Sequence, residues 1–383
     1  MRHRAQSRRR RSTLAVLATA AGLILGCSQY QPLVTADLVR RQIDERVPVE
    51  LRGAIELPFE LDAATMAAVD AVISPAGSEN QRAQDVVAYI FSRLDLKYAL
   101  TPTRNAVATH RTAQGNCLSF VNLFVGIGRH VRLNPFYVEV EDYQRWNYAD
   151  GVVVSRGHIV AGLRVDGNLA TYDFLPYRVK GYRDFAPIDD VTAMAHYYNN
   201  LGAEALMGGD AAAALEHLRI ATALAPDFEK GINNLGVAHL RLGDTAAAVA
   251  LYERGLELNP ESVPILTNLA RANQNMGLLE EANRILDQIE DVNRTNPFFF
   301  VYRGEAALAA GDSALALEYM RRALRTDSEV PEVHVGLLKV FLALGDVERA
   351  RHHLDRALRL DATHEEARKY AALLEARFAE SGG

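Results

Sequence analysis

GINNLGVAHLRLGDTAAAVALYERGLELNP, residues 231–260, places small residues where no single helix asks for them. Gly243 interrupts two helical runs, and Pro260 closes the second. The same spacing extends outward in both directions. Gly209, Gly243, Gly277, Gly311 and Gly345 lie 34 residues apart, and Ala214, Ala248, Ala282, Ala316 and Ala350 keep that step five residues further on. Ala221, Gly255, Ala323 and Ala357 hold a third position, with Ile289 the exception, and Pro226 and Pro260 end the first two units. Glycine between two helices supplies the φ > 0 that a tight turn often needs. The small residues let the second helix approach its neighbour. A hairpin of two helices cannot bury both faces alone, so such units stack into a solenoid. Five units follow, 195–228, 229–262, 263–296, 297–330 and 331–364, with residues 365–383 as a capping helix and tail.

In the second unit Leu235-Gly236, Gly243, Ala248, Tyr252 and Pro260 resemble the consensus of the tetratricopeptide repeat. The resemblance implies a binding surface for a protein or peptide. Asn200, Asn234 and Asn268 share one repeat position on the first helices of their units. A ladder of amides there can hold the backbone of an extended peptide, or asparagine is simply common at this place. Phe298 and Tyr302 are candidate aromatic anchors in the fourth unit, and Phe299 and Phe300 read as core.

The N-terminus has a different character. MRHRAQSRRRRS is strongly basic, and an apolar run from Thr13 to Leu25 follows, too short for a stable membrane span. Residues 1–26 read as a signal peptide. Ile24-Leu25-Gly26-Cys27 resembles the lipobox of bacterial lipoproteins, which implies a lipidated Cys27 as the mature N-terminus; the alternative is an uncleaved anchor. Ser28 then points to the outer membrane of a bacterial envelope, facing the periplasm, with residues 27–44 as a tether. Loss of residues 1–26 removes six arginines and no acid, taking the net charge from −6 to −12. Such a surface excludes nucleic acid as a natural partner. With Cys27 claimed by lipid, Cys117 has no disulfide partner in the chain, and an unpaired thiol in an exported protein points towards function.

Residues 45–190 carry mixed signals. LDAATMAAVDAVIS (61–74) and NQRAQDVVAYIFSRL (80–94) have helical periodicity, and LTPTRNAVATHRTAQGN (100–116) reads as a loop. A helix is expected from Cys117 to His130. Strand-like runs follow: PFYVEVE, GVVVS, HIVAGLRV and LATYDF. Together they predict an α+β domain with a helix packed on an antiparallel sheet. Asp166-Gly167 is a two-residue hairpin signal that pairs Val165 with Asn168. Asp173 then falls opposite Val160 and His158 opposite Leu175, which makes His158 and Asp173 diagonal neighbours on one face.

A thiol at a helix N-terminus, a histidine to take its proton and a carboxylate to orient that imidazole are the parts of an acyl-transfer site. Cys117, His158 and Asp173 are the candidates. The backbone N–H of Cys117 is the first candidate oxyanion donor. The Gln114 side chain is the second, unless it is a plain loop residue. His110 and His130 are rival bases, placed less well than His158. No cysteine–histidine cluster has metal-binding spacing, so no metal is expected.

The order Cys117, His158, Asp173, with the thiol on a helix and the others on adjacent strands, resembles the transglutaminase-like superfamily. GNCLSF, GHIVAG and TYDFLP look like its bacterial branch, some of whose members carry tetratricopeptide repeats. The resemblance implies a papain-like fold and a thioester formed from an amide, passed on to an amine or to water. It also implies no metal or organic cofactor. Two functions are open: a lipid-anchored thiol enzyme whose solenoid recruits substrate or partner, or a non-catalytic envelope scaffold acting through its repeats.

Overall fold

The computed structural model describes residues 33–149, 152–166, 168–174, 185–292, 297–362 and 364–381. The expected signal peptide and lipobox with Cys27, as well as Leu175 and the side chain of Phe298, lie outside the described residues. Among the described residues no helix is long and apolar enough to cross a membrane.

Thr35 caps α1 (Ala36–Arg46) by accepting from the Leu38 N–H. The tether expected over 27–44 is therefore corrected for residues 36–44: Val39 and Ile43, four apart on one helical face, are buried in the core. Then come α2 (Val49–Arg52), α3 (Ala63–Asp70) and α4 (Glu79–Ala88), which runs on through a π-turn at Tyr89–Arg93. The stretch expected as a loop holds β1 (Lys97–Tyr98), α5 (Ala106–Thr112) and β2 (Gln114–Gly115) around it and within it. Asn105 caps α5, Ala113 ends it at φ 49°, and β1 and β2 pair in parallel. α6 (Cys117–His130) starts and ends where the sequence predicts.

A four-stranded antiparallel sheet follows, built from β3 (Phe136–Ala149), β4 (Val152–Val165), β5 (Asn168–Tyr172) and β6 (Phe185–Ile188) in the order β5-β4-β3-β6. GVVVS and HIVAGLRV, expected as separate strands, are one continuous strand. The hairpin register is the expected one, with Val165 opposite Asn168 and Ala161 opposite Tyr172. β3 and β4 pair irregularly at one place: Val140 faces His158, and the next pair is Arg145 with Arg156. α6 packs its apolar face on the sheet, where Phe124 lies 4.8 Å from the Tyr172 ring and shares a core with Ile159, Ala161 and Leu163.

The repeats are five helix pairs: α7 (Asp190–Met207) with α8 (Ala211–Leu224), α9 (Glu229–Arg241) with α10 (Thr245–Leu258), α11 (Val263–Asn275) with α12 (Leu279–Val292), α13 (Pro297–Ala309) with α14 (Ser313–Thr326), and α15 (Pro331–Ala343) with α16 (Val347–Leu360). α17 (Glu365–Ser381) follows them. All five turn glycines have φ between 77° and 85°, in the left-handed region. Asp210, Asp244, Asp312 and Asp346 come directly after their glycines and cap the second helices, each accepting from a main-chain N–H three residues on. The periodic alanines at 214, 248, 282, 316 and 350 are fully buried. The first unit opens with a helix that starts at Asp190, five residues ahead of the expected repeat position at 195. Met194, Tyr198, Ile220 and Leu224 of its two helices belong to the same core as α1 and α6, so no core boundary divides the α+β region from the array.

Candidate active site

Asn116 organises the start of α6. Its Oδ1 accepts from the Ser119 N–H at 3.0 Å and from Ser119 Oγ at 2.9 Å, while its Nδ2 donates to Thr103 Oγ1 at 2.6 Å. Thr103 in turn donates from its N–H and its hydroxyl to the Glu204 carboxylate of α7, at 2.6–3.0 Å. Gly115 precedes this cap because a Cβ there would lie 2.5 Å from Ser119 Cβ. Cys117 thus occupies the first position of α6, where main-chain N–H groups have no acceptor within the helix and the dipole favours a thiolate. Its side chain is buried, and the thiol donates to Tyr98 Oη at 3.7 Å.

His158 reaches the site from β4 and is 2% exposed. Its Nε2 lies 3.1 Å from Asp173 Oδ1. Asp173 follows β5, and Phe174 beside it is stacked on Phe91 at 5.0 Å and packed against Phe120 at 5.8 Å, which anchors the carboxylate's backbone in the core. A sulfur of Cys117, a ring nitrogen of His158 and a carboxylate oxygen of Asp173 all lie within 4.8 Å of one another. Residues 41 and 15 apart in sequence are thereby brought to one point. Since a carboxylate only accepts, Nε2 carries the proton in the neutral imidazole, and Nδ1 is the basic nitrogen.

The rival bases are turned elsewhere. His110 Nε2 meets Tyr89 Oη at 2.8 Å, and burial lowers its pKa. His130, at the far end of α6, pairs with Asp70 at 2.8 Å. Gln114 lies exposed on β2 opposite Lys97. Tyr98 is a site residue that sequence reasoning missed: a two-residue strand carries no periodicity, and its pairing with Gly115 exists only in the fold. The thiol, imidazole and carboxylate are also a donor set that suits a zinc ion, and among the described residues they form the one cluster of three such donors. Spacing in the sequence did not reveal it because the three arrive from separate elements.

The amide ladder has an occupant. Asn268 donates from Nδ2 to the Val153 carbonyl at 2.9 Å and accepts from the Val153 N–H at 2.8 Å. Asn234 does the same to Ser155, at 2.9 and 3.0 Å. Asn233 donates to the Val153 carbonyl and Asn199 to the Ser155 carbonyl. Asn199 also accepts from Asn234, and Asn233 accepts from Asn268. The extended segment on the ladder is therefore β4 of the same chain. Asn234 and Asn268 stand where the sequence placed them; at the first rung the amide on β4 is Asn199, beside the expected Asn200. Val154 between the two rungs is fully buried among Ala203, Leu206, Leu235 and Val237.

Models of the tetratricopeptide repeat match residues 195–263, 239–297 and 307–375. The C-terminal half is a tetratricopeptide-repeat array. Arrays of this kind present surfaces for protein and peptide partners. Solved structures similar to this half include TTC0263, a tetratricopeptide-repeat protein of Thermus thermophilus, at 22% identity over 47% of this chain and 98% of that chain, with a TM-score of 0.37. MamA of Desulfovibrio magneticus is 19% identical over 45% of this chain and 97% of its own, with a TM-score of 0.29. YrrB, a tetratricopeptide-repeat protein described as having an unusual peptide-binding site, is 16% identical over 46% of this chain and 92% of its own, with a TM-score of 0.28. No curated protein matches the chain.

Proposed function

We propose that the chain is a thiol acyl-transfer enzyme of transglutaminase-like type, with a papain-like catalytic domain, held at a bacterial envelope by lipid on Cys27. The observation that carries the reading is the meeting of Cys117, His158 and Asp173 within 4.8 Å, with the imidazole already bonded to the carboxylate. His158 Nδ1 takes the proton of Cys117, and the thiolate attacks the carbonyl carbon of a peptide or protein amide. The Cys117 N–H receives the developing oxyanion. The imidazolium then gives its proton to the leaving amine, and a thioester remains. An amine or water attacks that thioester, His158 accepts the nucleophile's proton, and the sulfur leaves as thiolate. Asp173 holds the tautomer throughout. No organic cofactor enters these steps.

The second reading is a non-catalytic scaffold that acts through its repeats, and the family matches support it directly, since they speak for interaction and not for chemistry. Alkylation of Cys117 by iodoacetamide separates the two. For the enzyme, native Cys117 reacts at pH 7 faster than in the unfolded chain, and His158→Ala slows it at least tenfold, the order by which a positioned base acts. Equal rates in both chains would leave the scaffold. The mass of the mature N-terminal peptide checks the lipid on Cys27.

A further inference from the structure

β4 is supported unequally along its length. At Ala161 and Gly162 it is paired on both edges, by β3 and by β5, and from Leu163 to Val165 by β5 alone. Before Ala161 β5 has ended, and next to His158 the pairing with β3 is interrupted between Val140 and Arg145. The outer edge there is held by the repeats instead. Asn268 on α11 binds both main-chain groups of Val153, and Asn234 on α9 both groups of Ser155. A side-chain amide offers the same donor and acceptor as a peptide group, so the ladder replaces the missing strand. Gly157 then lies against His196 of α7, where an added Cβ would meet the ring at 3.1 Å. His158 is the next residue, three along the strand from Ser155, or about 10 Å at roughly 3.3 Å per residue.

The nucleophile is held from the same side. Glu204 of α7 grips Thr103, Thr103 receives Asn116, and Asn116 caps the helix that starts at Cys117. One repeat helix, α7, therefore contributes to both halves of the site.

We propose that the first three repeats are the frame that positions the triad, with Asn234 and Asn268 acting as positioning residues for His158. The proposal rests on the triad reading above. It assigns these two asparagines to holding the chain's own catalytic strand, not to capturing a substrate peptide.

The test uses the full chain and the pH profile of Cys117 alkylation by iodoacetamide, read at the Cys117 peptide by mass spectrometry. In the wild-type chain reactivity holds well below the ordinary thiol pKa of about 8.5. Asn234→Ala is expected to raise the profile's midpoint by about one unit, which makes alkylation about tenfold slower at pH values below both midpoints. Asn268→Ala, one rung further from the base, moves it less. Lys339→Gln on α15, outside the frame, leaves it at the wild-type position. A wild-type profile in both asparagine variants overturns the proposal. So does unprotected hydrogen exchange at the Val153 and Ser155 amides of the wild-type chain, a measurement that stands even where Asn234→Ala fails to fold. If Asn234→Ala is silent but His158→Ala changes the profile, the frame fails alone. If His158→Ala is silent too, the triad reading fails and takes the frame with it.

Discussion

Two glycines in one repeat illustrate how differently the same letter is used. Gly243 has φ 85° and no atom within 4 Å of where a Cβ would stand, so its constraint is purely conformational. Gly236 is helical, and an added Cβ would lie 2.4 Å from the ring of Tyr252, which is itself fully buried. Gly243→Ala should cost about 1–2 kcal/mol, the cost of a left-handed L-residue. Gly236→Ala forces the ring or the helix pair to move and should cost up to about 3 kcal/mol, as overpacking does. Urea unfolding of the two variants gives the comparison, and an equal or smaller loss at Gly236 would contradict the packing account. The spacing made both glycines legible as repeat positions. The reason behind each is visible only where the neighbouring helix comes to rest.

At the scale of elements, the last repeat contains a pair of histidines that cannot both be charged. His334 Nε2 meets the Ser328 carbonyl at 3.0 Å and must donate there, so its Nδ1 accepts from the Nδ1–H of His353, also at 3.0 Å. Burial first, then the neighbouring His334 and His352, lower the His353 pKa to about 4. The unfolded chain gains a proton near pH 6.5 while the folded α15–α16 pair resists it. Stability from this contact is therefore complete above about pH 6.5 and is lost as pH falls towards 4. Melting temperatures at pH 7.5 and 5 should differ more in the wild-type chain than in His353→Gln; an identical pH dependence would remove the pair from the account. β4 teaches the complementary lesson. Its two apolar runs are readable as strands, but their union across Gly157 depends on a ladder that no local pattern announces. Likewise α5 is short enough that Pro102 and Gly115 hide it.

For the molecule as a whole, the join between the α+β region and the repeats is built like an interior. Glu139 of β3 meets Lys230 of α9 at 2.6 Å and lies 3.5 Å from His196 of α7. Burial works against its charge, yet His196 and Lys230 bring its pKa down to about 2. Arg129 of α6 pairs with Asp190 at the start of α7 at 2.6 Å, with both side chains largely covered. Separating the two regions would leave such charges unpaired, at a cost of about 3–5 kcal/mol for a broken buried pair. The α+β region and the first repeats should accordingly unfold together. Hydrogen exchange at the Ser155 amide reports the strand on the ladder, while far-ultraviolet circular dichroism reports the helices. Coincident urea transitions are expected from the two probes; an earlier loss of Ser155 protection would show that the strand leaves the ladder first.

A 34-residue period needs only local helices and nearest-neighbour stacking, so the repeats, their turn glycines and their small contact residues were determined by the sequence alone. The same is true of α6 and of the Asp166 hairpin, whose signals are contiguous. That His158 and Asp173 stand side by side follows from that hairpin and could be read in advance, whereas their meeting with Cys117 is decided by how α6 lies on the sheet. What lies on the asparagine ladder could not. Side-chain amides recognise any extended backbone, because every peptide group offers the same N–H and C=O, and only the tertiary structure decides whose backbone is near enough. Here it is β4, the strand that carries His158.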